Sequence, residues 1–376
     1  RRAISNQLLN AAIKYLAGVI LAVALLAWAG FRVWTSPAGE EQATAPPTET
    51  IDKAAVAATA AAEIRNARLL LARFERENNP EALRAATEHA RRALDLEADA
   101  AGSLHVNGLV RDARSDYREA RDFFARVRDI EPDNALGFTS AASTFVPQGE
   151  LGLALEWLQR AQSIDPNSLE LGGALILIND CLENYAASRQ WSEWIDQRIT
   201  NQPRIMALQA RHHYLTGNFE TAIQTSNLAL QLDLPRDWQA DAIFMRIKRD
   251  QALAEGTPQQ GIELFMARHP DLFEPDPAIR PDNITQAVDL SLLLDFAGRE
   301  QQSLTLLSAA LQAYESRWFT SGSARAGLLP IRAEALALMG RREAALQELE
   351  RVVNAGWRIY WRWKTELNPN FESIRN

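Results

Sequence analysis

From Ala54 onward, apolar residues recur at three- and four-residue intervals with almost no strand-like alternation, which predicts a chain that is helical nearly throughout. Four predicted helices share one ending: ATEHARRALDLEAD from Ala86, ARDFFARVRDIEPD from Ala120, ALEWLQRAQSIDPN from Ala154 and AIQTSNLALQLDLP from Ala222. Their starting alanines lie 34, 34 and 68 residues apart, which is one, one and two periods of the same length. Within each segment a small or apolar residue returns four and seven places on: Ala90 and Ala93, Phe124 and Val127, Leu158 and Ala161, Ser226 and Ala229. Pro132 and Pro166 then close two of the helices, since proline cannot continue one.

This pattern resembles the tetratricopeptide repeat (TPR) family, whose 34-residue unit is a pair of antiparallel helices. Gly108, Ala142 and Ala210 stand at the small position of the first helix, while Leu104, Phe138 and Met206 replace its tryptophan. Gly149 and Gly217 stand at the turn between helices. The resemblance implies an all-α fold, a TPR right-handed superhelical solenoid. Around Leu169 to Gln202 the pattern weakens, and Trp191 and Trp194 read as replacing small crossing residues, so that pair is expected to pack differently. Pro270, Pro275, Pro277 and Pro281 predict a break at 270–283 between a first sub-array at 54–269, of about six pairs, and a second at 284–376. In the second, Ile284 to Phe296 pairs with Gln301 to Tyr314, and Ala324 to Met339 with Arg342 to Asn354. The ending AGWRIYWRWKTELNPNF, with Gly356, Trp357, Trp361, Trp363, Pro369 and Phe371, reads as an aromatic cap over the last pair.

A different pattern precedes the repeats. Tyr15 to Phe31 is 17 residues without a charge, and as a helix it spans about 26 Å, close to the ~30 Å of a bilayer core. A cleaved signal peptide, cut at Ala27-Trp28-Ala29, is the alternative, but the run exceeds a usual signal core. Residues 1–35 are therefore expected to be a cytoplasmic tip and transmembrane helix, and 36–53 a Pro/Thr/Glu linker. Arg1, Arg2 and Lys14 precede the run and Glu40, Glu41 and Glu49 follow it, which predicts a cytoplasmic N-terminus and a periplasmic solenoid on a bacterial inner membrane.

Composition narrows the function. The 376 residues are 47% hydrophobic with a net charge of −8, which argues against direct nucleic-acid binding. A single cysteine, Cys181, excludes an internal disulfide framework and a thiolate metal site. Nucleotide-binding, hydrolase and zinc-protease motifs are missing, so neither enzyme activity nor a cofactor or metal is expected. His89, His105, His212, His213 and His269 read as surface or groove residues.

What remains is recognition of a protein or peptide partner. In TPR proteins the concave groove is lined by set positions of the first helix of each pair. The resemblance transfers these to His105 and Asp112, to Thr139 and Ser143, and to Arg204, Arg211 and Tyr214. The main expectation is thus a membrane-anchored scaffold with its groove outside the cytoplasm. The ending also resembles TPR arrays of bacterial CadC-like regulators and nucleotide cyclases. Because the chain begins at Arg1, that likeness gives the alternative of a periplasmic sensory half with a cytoplasmic output domain upstream.

Overall fold

A computed structural model of the chain describes residues 48–198, 201–232, 237–315 and 321–375. The chain divides into two units, 1–53 and 54–376, and the helix pairs belong to the second. In chain order the described helices are α1 (Thr48–Glu77), α2 (Pro80–Leu96), α3 (Ala101–Ala113), α4 (Tyr117–Ile130), α5 (Leu136–Phe145), α6 (Leu151–Ile164), α7 (Leu169–Cys181) and α8 (Tyr185–Asp196). They continue as α9 (Pro203–Leu215), α10 (Phe219–Gln231), α11 (Trp238–Ala254), α12 (Pro258–Arg268), α13 (Ile284–Phe296), α14 (Glu300–Tyr314), α15 (Ile331–Leu338), α16 (Arg342–Asn354) and the short α17 (Trp361–Lys364). Odd-numbered helices from α1 to α15 open the pairs and even-numbered ones close them.

Small residues set the pairing. The fourth residue of each closing helix from α4 onward is Ala120, Ala154, Ser188, Ala222, Gly261, Ser303 or Ala345, and every one is buried. Ala86 does the same in α2. Such residues let helix axes approach to about 8–10 Å. Gly108 shows how close: a Cβ there would run into the Phe124 ring of α4. The fourth pair therefore departs from expectation. Its crossing residues are Ser188 and Ser192, both buried, whereas Trp191 and Trp194, edge to face at 5.6 Å, pack against α7 at Gly172. Neither tryptophan replaces a crossing residue, and α7 and α8 pack as closely as the other pairs.

The proline-rich stretch does not interrupt the stacking. Pro270–Phe273 is a turn of 3-10 helix, and beyond the loop that follows, α13 packs against both α11 and α12. Met245 and Ala252 of α11, Phe265 of α12 and Leu290 and Leu293 of α13 share one apolar cluster.

The expected single-pass localisation on a bacterial inner membrane is corrected. Among the described residues no helix is long and apolar enough to cross a membrane. Tyr15 to Phe31, on which that expectation rested, lies outside the described residues.

The ending does more than cover the last pair. Its final 3-10 turn, Pro369–Ile374, packs on α15 and α16 through Phe371 and Ile374. The residues before it run back along the opening helices. Gly356 meets the turn after α5, so closely that a Cβ on Gly149 would strike the Gly356 carbonyl. Both glycines have positive φ, +73° and +94°, which a side chain would strain. Trp357 is fully buried among residues of α5, α6 and α7. The Tyr360 amide donates to Cys181 Sγ at 3.3 Å, and Trp363 packs edge to face on Tyr214 at 4.7 Å. A second strap, the 3-10 segment Ser323–Leu328 before α15, touches α3 and the turn after α5 and, through Arg325, reaches the Phe74 carbonyl of α1.

Candidate functional site

The seven positions expected to line a partner groove meet different fates. His105 on α3 is buried; its Nε2 lies 2.9 Å from Ser140 Oγ and its Nδ1 3.4 Å from Arg68 Nη2. Burial and the neighbouring Arg68 push its pKa down to about 4, so the imidazole is neutral at pH 7. Asp112 accepts a hydrogen bond from the strap hydroxyl of Ser323, and the Gly322 amide donates to Ser115 Oγ nearby. Burial pushes the Asp112 carboxyl up to about 6, against the opposing pull of that hydrogen bond.

Arg204 is exposed but engaged. It pairs with Asp237 at 3.3 Å and donates to Gln239 Oε1, while Gln239 Nε2 donates to the Ala324 carbonyl of the strap. Arg211 has no exposed surface: its guanidinium stacks on the Tyr360 ring at 3.9 Å, with the Asp180 carboxylate also 3.9 Å away. Tyr214 donates to Asp250 Oδ2 at 2.9 Å and carries Trp363 on its face; burial pushes its phenol pKa up. Five of the seven are therefore committed to contacts within the chain, most of them to the strap or tail.

Thr139 and Ser143 differ. Both lie half-buried on α5 and face a cavity of 780 Å³ between α5 and α7, with α6 as its floor. Their hydroxyls donate to carbonyls of their own helix, Thr139 to Ala135 and Leu136, Ser143 to Ser140. Small side chains leave the space: Thr139, Ala142 and Ser143 from α5 and Ala174 from α7. Ala154, Leu158, Leu171, Leu177 and Ile178 make the interior apolar. One end is acidic, where the loops before α5 and α7 bring Asp133 and Asp165 to the wall and the first turn of α7 brings Glu170. A half-open apolar pocket with a few polar groups is the usual form of a ligand site.

A polar cluster deeper in the chain escaped sequence reasoning. Arg246 and Arg249 of α11, Asp289 of α13, Glu334 of α15 and Lys364 and Asn370 of the tail are all buried together. Arg246 grips both Asp289 oxygens at 3.0 and 2.9 Å and donates to Glu334 at 2.6 Å. Arg249 donates to Asp289 and to Asn370 Oδ1, and Asn370 Nδ2 donates to Glu334 at 2.8 Å. Burial alone would raise the Glu334 pKa; Arg246 and Lys364 outweigh it and hold the carboxyl well below its usual range. For Lys364 burial dominates and lowers its pKa to about 8. The available signal was a charge inside each apolar run, Asp289 in AVDLSLLL and Arg246 in IFMRI.

Ser188, His212 and Asp180 have the composition of a hydrolase triad but not its geometry. Ser188 Oγ at 3.2 Å and Asp180 Oδ1 at 2.9 Å both face Nδ1 of His212. A triad places nucleophile and carboxylate on opposite ring nitrogens, and these three are buried at a helix crossing. Among the described residues no group of three or more histidines, cysteines and carboxylates is placed to hold a metal ion.

No model of a known protein family matches the chain, and no curated protein matches its sequence. Solved structures do. Yeast Tom70 matches with a TM-score of 0.50 at 12% identity, covering 77% of this chain and 60% of that one. The APC/C hetero-tetramer Cut9–Hcn1 also gives 0.50, at 13% identity, over 66% of this chain and 46% of that one. A tetratricopeptide repeat protein from Parabacteroides merdae gives 0.45 at 16% identity, over 68% and 94%. At such identities the likeness establishes the fold, an all-α solenoid of TPR type.

Proposed function

We propose that this chain is a protein-interaction scaffold whose partner is received in the cavity between α5 and α7. The observation that carries the reading is the contrast along the inner face. From the third pair to the eighth the opening helices carry the chain's own tail, while beside it, between α5 and α7, an apolar space of 780 Å³ stays open. Thr139 and Ser143 are the two groove positions we retain as partner-binding residues. A TPR-type solenoid supports this reading, because stacked helix pairs build extended concave surfaces suited to peptides and protein segments.

The test is selection of a random peptide library displayed on phage against the full chain. Enriched peptides are then measured on Ser143→Trp, which fills the cavity, and on Leu69→Ala, which alters a 70% exposed residue of α1. Binding lost in the first variant and kept in the second supports the assignment. Binding kept in Ser143→Trp moves the partner site elsewhere.

A further inference from the structure

We infer that the cavity between α5 and α7 takes a partner segment in which a large apolar side chain stands beside lysine or arginine. This deepens the reading above and rests on it. The apolar part follows from the interior, where Val146, Leu158, Leu171 and Leu177 offer no hydrogen-bonding side chain. The basic part follows from the acidic end. Asp133, Asp165 and Glu170 are exposed there, and among the described residues none of the three is in an ion pair. Glu170 accepts only from neutral groups, Gln202 Nε2 at 3.1 Å and Ser168 Oγ at 3.3 Å, and Asp165 accepts from the Asn167 amide.

No lysine or arginine lines the cavity to offset these carboxylates. Helix dipoles do not set the sign of this wall, since the carboxyl end of α6 at Ile164 and the amino ends of α5 and α7 meet there; the three carboxylates do. An acidic peptide or a fatty acid would bring like charge to this wall. A second copy of the chain would bring a net charge of −8. A neutral apolar compound would fill the interior and leave the carboxylates without partners. A cationic segment with one bulky apolar residue answers both halves of the site. Rim charges of this kind act on partner choice, association rate and salt dependence.

The experiment uses fluorescence anisotropy with two labelled peptides and the full chain. One peptide carries a tryptophan and a leucine between lysine pairs; the other has glutamates in place of the lysines. The lysine peptide is expected to bind wild type and to weaken as salt rises from 50 to 500 mM. It should bind the double variant Asp165→Lys/Glu170→Lys about tenfold more weakly, and that variant should prefer the glutamate peptide. Ser143→Trp or Thr139→Trp, whichever keeps the wild-type circular dichroism and melting, should abolish binding. Equal or tighter binding of the glutamate peptide to wild type overturns the charge assignment but leaves the pocket reading intact, provided Ser143→Trp still blocks it. Binding of neither peptide, or binding indifferent to both cavity-filling variants, overturns the inference. The phage selection then decides separately whether the pocket reading survives.

Discussion

Asp112 carries a pH dependence whose sign can be worked out. Its carboxyl sits at about 6 in the folded chain, against about 3.9 for an unperturbed aspartate. Between those values the folded state binds more protons than the unfolded one, so stability falls as pH rises from about 4 to about 6. Asp112→Asn keeps a group that can bond Ser323 and removes the charge. The variant is expected to be more stable than wild type at pH 7, on the order of 1–2 kcal/mol, with the gap closing toward pH 4. His105 titrates nearby with the opposite sign, but it is common to both proteins and cancels in the difference. Thermal unfolding of the pair across pH 4–7 measures this, and a gap that does not change with pH would show that Asp112 is not the titrating group. Asn370 supplies a second test at this scale. It bonds Arg249, Asp289 and Glu334 at once, all without exposed surface to speak of. Asn370→Ala leaves those groups short of partners and should cost about 1–3 kcal/mol in urea unfolding. Single residues were the least legible part of the sequence. Groove positions carried over from the family, His105, Arg211 and Tyr214 among them, say only which way a side chain is expected to face. They say nothing of what else arrives there, and for these three it is Ser140, Tyr360 and Trp363.

At the scale of helices the sequence was read well, because the signal is local. A small residue is needed once per closing helix, and Ala86, Ala120, Ala154 and Ala222 kept the interval that revealed it. The fourth pair is harder to read because its small crossing residues are serines, Ser188 and Ser192, which in sequence look like ordinary polar positions beside the bulky Trp191 and Trp194. The cavity was illegible for the converse reason: Thr139, Ala142, Ser143 and Ala174 fit a helix crossing equally well, and only the structure shows α5 and α7 standing apart. A packing prediction follows for Ala120. It has no exposed surface and lies in a cluster with Phe124, Ala141 and Leu109, from three helices. An indole cannot fit there. Ala120→Trp is expected to cost about 1–3 kcal/mol and to raise hydrogen exchange in α3, α4 and α5. The strap at 323–328 should loosen with them, since it is anchored on Asp112 and, through Arg325, on the Phe74 carbonyl of α1. Unchanged exchange in all of these would mean that Ala120 is not at a crossing.

For the molecule from Ala54 onward, the tail changes how stability is shared. In an open solenoid each repeat touches only its neighbours, so the pairs unfold as a weakly coupled series. Here the tail touches Gly149 after α5, Cys181 at the end of α7, Tyr214 on α9, Arg249 on α11, Asp289 on α13 and Glu334 on α15. One segment thus holds opening helices of six pairs, and pairs far apart in sequence gain a common partner. Local periodicity cannot announce such an arrangement, because it depends on contacts between residues up to about two hundred positions apart. The docking of Gly356 is the place to test it. A Cβ on Gly356 would lie 2.7 Å from the Gln148 carbonyl oxygen, and its φ of +94° disfavours any side chain. Gly356→Val should therefore lift the start of the tail from the turn after α5 and draw Trp357 out of its cluster. Gly217→Val is the matched control: its φ is +83°, but nothing lies within 4 Å of the added Cβ. Each variant takes on a backbone strain of about 1–3 kcal/mol. Only Gly356→Val is expected to break the coupling, so that urea unfolding followed by circular dichroism loses its single transition and exchange rises through residues 355–375. Gly217→Val should lower the midpoint and keep one transition of unchanged slope. If both variants keep a single transition of wild-type slope, the helix pairs are held together by their neighbours alone and the tail merely lies along them.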